Sequence, residues 1–137
     1  MAGSKADELE ARVLDHLFKG GAAPALTALS TVYVALYTVV PTDAAGSGTE
    51  ASGNGYARAA VPAANWTRSG TTPTQVLNNA DVLFPACSGS SYTIVGWALW
   101  DAASAGNRLY WGDCTSTTMN VGDVPRFPAN SLVVTED

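Results

Sequence analysis

Lysine is absent from this chain beyond Lys19, histidine occurs once, at His16, and cysteine twice, at Cys87 and Cys114. Each scarcity removes a class of chemistry. A serine or cysteine nucleophile needs a neighbouring base, and His16 or a lysine would have to supply it from the N-terminal segment. A soft-ligand metal site needs several cysteines or histidines, and no C-x-x-C pair occurs. Carboxylates are scattered singly, at Asp81, Asp101, Asp113 and Asp123, so only folding could bring two together for glycoside hydrolysis. No catalytic residue, metal ligand or cofactor site is expected, and the chain reads as a non-enzyme.

Charge is scarce as well. Charged residues make up 14% of the 137, and the net charge is −5. No basic cluster is available for phosphate contacts or for a membrane-surface helix, so neither nucleic acid nor membrane is an expected partner. No apolar run approaches the ~20 residues of a membrane span. The opening MAGSKADELEAR is polar and acidic, unlike a signal peptide, so synthesis in a cytoplasm and free thiols at both cysteines are expected. Internal repeats and heptads, the marks of a fibrous shaft, are missing.

What is present is apolar: 47% of the residues, enough for one buried core at this length. A surface so poor in charge is expected to be covered in part by partners. Residues 1–21 read as an N-terminal helix, an anchor or tether belonging to the same unit. Ser4 and Asp7 resemble a capping box, acids crowd the first turn, Glu8–Arg12 and Asp15–Lys19 are spaced as i,i+4 pairs, and Gly20-Gly21 ends the helix. Leu9, Val13 and Leu17 form a stripe that Leu14 and Phe18 widen.

Residues 22–137 read as a β-sandwich. Strands are expected at Thr31–Val40, Tyr56–Val61, Val76–Phe84, Tyr92–Trp100, Arg108–Trp111 and Leu132–Thr135, with a weaker one near Thr115–Val121. Asp101 to Asn107 has the composition of a hairpin loop. Short strands after a single helix give a mainly β fold, an antiparallel sandwich of immunoglobulin-like or jelly-roll-like kind.

The stretch GSGTEASGNGYARAA (Gly46 to Ala60) contains G-x-G-x-x-A, but a strand-like segment and a proline follow it, so no helix N-terminus is offered to a phosphate. Its glycines read as a hinge. Arg58 is either an anchor for a partner's carboxylate or the internal partner of an acid such as Glu50. Trp97 and Trp100, three apart in a strand, should face opposite sides. One set of aromatics fills the core. The other needs a cover, whether the helix, a neighbouring subunit or a sugar, and Trp66, Trp97 and Trp100 are the residues a lectin-like platform would use. The interface candidates are therefore Leu9, Val13, Leu17, Phe18, Arg58, Trp97 and Trp100.

These segments, in order, carry a resemblance. L-E-x-x-V-L-D-H is followed by YVALYT, P-T-D, G-x-G-T-E-x-S-G-x-G-Y-A-R, a segment ending F-P, a glycine–aromatic strand ending D-A, LYWG, and N-x-G-D with F-P-A. From Leu9 to Thr135 the chain is similar to a family of small tailed-bacteriophage structural proteins. These are often labelled tail-fibre proteins and in some virions sit on the capsid as cement or decoration proteins. The resemblance implies a non-enzymatic virion component, assembled in the bacterial host cytoplasm, with phage capsid or tail proteins and further copies of itself as partners. A capsid cement or decoration protein is the first expectation, a tail or tail-fibre attachment component the alternative. A lectin-like domain for a host surface glycan is the third. Asn54 stands where the family often has glycine, and IVGWALWD carries tryptophans where smaller residues are common.

Overall fold

A computed structural model describes residues 2–20, 26–70 and 74–136, with the backbone alone for Ala2 and Gly3. Its elements in order are β1 (Ala2–Lys5), α1 (Asp7–Phe18), β2 (Thr31–Val39), β3 (Thr49–Glu50), β4 (Ala59–Pro62), a short 3-10 turn (Ala63–Asn65), β5 (Trp66–Ser69), β6 (Thr74–Asn78), β7 (Val82–Leu83), β8 (Tyr92–Trp100), β9 (Arg108–Met119), β10 (Arg126–Phe127) and β11 (Val133–Glu136).

Among the described residues two sheets face one another in a mainly β, sandwich-like fold with one α-helix, and β7 and β10 form a separate two-stranded ladder. The first runs β5-β6-β11-β1, and the second runs β1-β9-β8-β2, with β3 and β4 both on the free edge of β2. Strand β1 belongs to both. Ala2 and Gly3 pair in parallel with Val133 and Val134, whereas Ser4 and Lys5 pair antiparallel with Trp111 and Tyr110. Such a corner strand lets two packed sheets share an edge. The other described ladders are antiparallel.

The expected helix over residues 1–21 is therefore shorter. Ser4 does not cap it: Ala6 holds the N-cap position without a side-chain bond, and the Ser4 hydroxyl donates to Asp43 Oδ1 at 3.4 Å. Pairing in the sheet has claimed the residues that a capping box needs. Helix α1 ends as expected, with Gly20 at φ +66°, and the Asp15–Lys19 pair closes at 3.1 Å. Arg12, expected to pair with Glu8, instead reaches Asp101 Oδ2 at 3.3 Å.

Strands β2 and β8 lie where their long β-branched and aromatic runs placed them. Arg108–Trp111 and Thr115–Val121, expected as two strands, are the single strand β9, whose register shifts opposite Ile94 to Gly96. Ile94 and Leu99, on either side of that shift, both reach the interior despite their odd spacing. Val76–Phe84 is instead two strands. Buried Asn78 turns the chain by donating to the carbonyls of Ala80 and Pro128 and accepting from the Leu132 N–H, all at 2.9 Å.

The core lies between the sheets, with Val34, Leu36, Ile94, Trp97, Leu99, Leu132 and Val134 buried together. Strand β8 brings Trp97 over Gly112 of β9, where a Cβ would sit 2.7 Å from the indole ring. Glycine at 112 is thus a requirement of the tryptophan at 97.

Candidate interaction surface

Helix α1 divides its broad apolar stripe between two tasks. Its inner edge packs on the sandwich, with Leu9 6% exposed and Val13 against the core cluster. Its outer edge is uncovered: Leu14 is 56%, Leu17 66% and Phe18 79% exposed. Positions i, i+3 and i+4 share one helix face, so the three form a continuous patch. Asp7 and Glu10 precede them on that face at the same spacing, and both are exposed.

The helix is held firmly enough to present this face. Strand β1 fixes its start, the Ala6 N–H donates to the Leu109 carbonyl at 2.9 Å, and the Asp7 N–H donates to the Asp43 carbonyl at 3.2 Å. Arg12 ties it to the β8–β9 loop through Asp101, whose side chain also accepts from the Asn107 amide at 2.7 Å and from its Nδ2 at 2.8 Å. Burial alone would raise the Asp101 pKa. The bonds from Asn107 and then from Arg12 outweigh it, and hold the carboxyl below the usual range.

Of the two readings of Arg58, the structure shows the internal pair. Its Nε and Nη2 each donate to the Glu50 carboxylate at 2.8 Å, Nη1 donates to the Ala102 and Ala105 carbonyls at 2.9 Å, and the guanidinium lies 4.0 Å above the Trp100 ring. The Tyr56 hydroxyl donates to Glu50 at 2.8 Å and accepts from the Leu36 N–H at 3.1 Å. Burial raises the Tyr56 pKa, and the adjacent Glu50 charge adds to this, so the hydroxyl stays a donor. The glycine-rich stretch is accordingly a clamp. Gly53 and Gly55, at φ +65° and +78°, bring Tyr56 and Arg58 back onto Glu50 and lock the β8–β9 loop beneath. Asn54 accepts the left-handed conformation at φ +51°, and its Oδ1 receives the Ser90 N–H at 3.1 Å and hydroxyl at 3.0 Å.

Trp66, Trp97 and Trp100 share no surface, although Trp100 and Trp111 both pack on Ala35, Tyr37 and Ala98. Trp97 is 2% exposed in the core, Trp100 lies on the opposite sheet face beneath Arg58, and Trp66 stands on the other sheet. Leu9 and Trp97, named as interface candidates, are interior residues, because the sandwich itself covers them. Arg58 and Trp100 are stacked on each other, and Leu17 and Phe18 remain open.

Two features escaped the sequence. One is Arg108, 1% exposed, whose guanidinium donates to the carbonyls of Thr42, Ala44 and Ser47 and so pins the β2–β3 loop. The other is a cavity of about 190 Å³ between the sheets, walled by Val32, Trp66, Val76, Leu99, Leu109 and Val134. At its rim Tyr110 donates to Glu136, which pairs with Lys5 at 2.8 Å. Both depend on residues far apart in the chain, and neither has a local pattern that could announce it.

Residues 4–135 match the family model described as Podophage GP4 fiber I protein gp80. No curated protein matches the chain.

Proposed function

The chain belongs to this family of phage fibre proteins, whose members are structural components of the virion, and from that premise we propose that it is a globular part of the fibre assembly, docked on a neighbouring virion protein through the outer face of α1. The observation that carries the proposal is the exposure of Leu14, Leu17 and Phe18 on a helix anchored at both its start and its inner edge. A folded domain rarely leaves such residues adjacent and uncovered without a partner.

The magnitude supports assembly rather than a free-standing binary complex. Fully burying a large apolar side chain contributes roughly 1.5–3 kcal/mol, and the exposed parts of Leu14, Leu17 and Phe18 amount to about two such side chains, so the patch offers about 3–6 kcal/mol. Association itself costs roughly 4–15 kcal/mol. Further contacts around the patch, or many symmetric copies acting together, must supply the difference.

The fibre placement, the alternative in the sequence reading, is favoured by the family description over a capsid cement role. The same face would serve a cement protein on the shell. Imaging intact particles separates the two: density for the chain on the fibre or its attachment supports the proposal, and density spread over the shell lattice overturns it in favour of cement. Leu17→Asp with Phe18→Asp should leave the fold intact and remove the chain from particles; unchanged occupancy would refute docking through α1.

A further inference from the structure

We propose that the surface receiving α1 is an apolar groove bordered by lysine or arginine side chains on a different virion protein. This rests on the reading of α1 as the docking face and adds the chemistry of the partner.

The open patch is only the C-terminal half of the exposed face. The N-terminal half carries Asp7 and Glu10, and neither carboxylate joins an ion pair among the described residues. Acids in a first turn favour the helix dipole wherever they stand. Here two of them also continue the line of Leu14 and Phe18, so whatever covers the patch meets them too. The helix turns its own cations away from this face: Arg12 is buried against Asp101, and Lys19 is engaged by Asp15. A groove that covered the apolar half and left Asp7 and Glu10 against apolar or acidic surface would strip them of water without compensation. Basic side chains at its border remove that cost and steer the encounter.

A second copy fits poorly. The chain carries a net charge of −5, and beyond residue 20 its cations are four arginines. Arg58 and Arg108 are consumed internally, Arg126 pairs with Asp81 at 3.2 Å, and Arg68 is a single exposed cation on strand β5, too few to border a groove along α1. Two α1 helices laid together bring each other acids and leucines but no available cation on the contact face.

The test uses purified virions carrying the full chain, with copies per particle counted by quantitative mass spectrometry after washing at about 0.05 M and 0.5 M NaCl, a span over which the screening length shrinks severalfold. The wild-type chain should be retained at low salt and released at least tenfold more at high salt. Asp7→Asn with Glu10→Gln, a neutral pair that keeps the helix, should lower low-salt retention about tenfold and flatten the salt response. Salt-independent retention, or full retention of the neutral pair, would overturn the basic border while leaving α1 as the docking face. Full retention of Leu17→Ala with Phe18→Ala would remove the docking face itself, and the present proposal with it. Phe18→Cys that cross-links in the particle to another copy of this chain would overturn the assignment of a different partner. Its cross-linking to a second virion protein through a peptide rich in Lys or Arg is the expected result. Unchanged thermal unfolding of each variant shows that the losses are not losses of fold.

Discussion

The clamp around Glu50 yields the sharpest test of how this fold is held. Glu50→Gln keeps the size and one acceptor oxygen but replaces the other with an NH2 group that faces the Arg58 donors. The arginine side chain is only 7% exposed and cannot return to water without abandoning the Ala102 and Ala105 carbonyls and the Trp100 face. Breaking a buried ion pair from one side costs about 3–5 kcal/mol. The Glu50 side chain is 26% exposed, and solvent screening of that partner discounts the loss to about 2–3 kcal/mol. With a urea dependence near 2 kcal/mol per molar, the unfolding midpoint should fall by about 1–1.5 M. Urea titrations followed by tryptophan fluorescence measure this directly, since Trp100 lies under the guanidinium. Arg58→Met alone and combined with Glu50→Gln complete a cycle, and the double variant should lose less than the two single losses added together. A loss under about 0.5 kcal/mol for Glu50→Gln, or strict additivity in the cycle, would refute the claim that the pair holds the three segments together.

Gly112→Ala should destabilise by about 1–3 kcal/mol, because the new Cβ would lie 2.7 Å from a fully packed indole; thermal unfolding and the near-ultraviolet dichroism of Trp97 report it. At Asn54 the order of variants is diagnostic. Alanine should cost about 1–2 kcal/mol by losing the Ser90 bonds at positive φ, whereas glycine should cost less because it relieves the backbone. Two carboxyls set the acid limit: in Asp101 and Glu136, hydrogen bonds and ion pairs overcome the effect of burial, and the folded pKa values lie below the unfolded ones. Their stabilisation is complete above about pH 4, near the unfolded values, and should be lost as pH falls through the folded values. Tyr56 and Tyr110 act in the opposite direction. Burial raises both, with Glu50 and Glu136 adding to it, so stability should decline as pH rises above about 10, the unfolded tyrosine value. Unfolding free energy measured across pH 3 to 11 checks both limbs.

Strands β2 and β8 were legible because their β-branched and aromatic runs are long and end at turn residues. The hairpin between β8 and β9 was legible from Asp101 to Asn107 for the same reason. Strands β1 and β5 were not, since AGSK and WTRS carry no apolar alternation. Their state is decided by partners elsewhere in the chain, most plainly for β1, which borders β9 and β11. Similarly, the period of α1 announced a wide apolar stripe but could not say which edge would face inward. Leu9 and Val13 turned in because β1 and Arg12 set the roll of the helix, leaving Leu14, Leu17 and Phe18 outside. The clamp residues Glu50 and Arg58 were visible as an open choice, and geometry closed it.

The shared corner strand has a consequence for how copies are made. Ala2 and Gly3 are synthesised well before Val133 and Val134, their ladder partners. The two sheets therefore cannot be stitched along that edge until Val134 has been made, and a chain that stops short of it leaves that edge open. The start of α1 hangs from the other half of the same strand, on Leu109 to Trp111 and on Asp43, so the helix is set by earlier residues than those that close the edge. A chain truncated before Val133 would thus carry its helix on a sandwich left open along one edge.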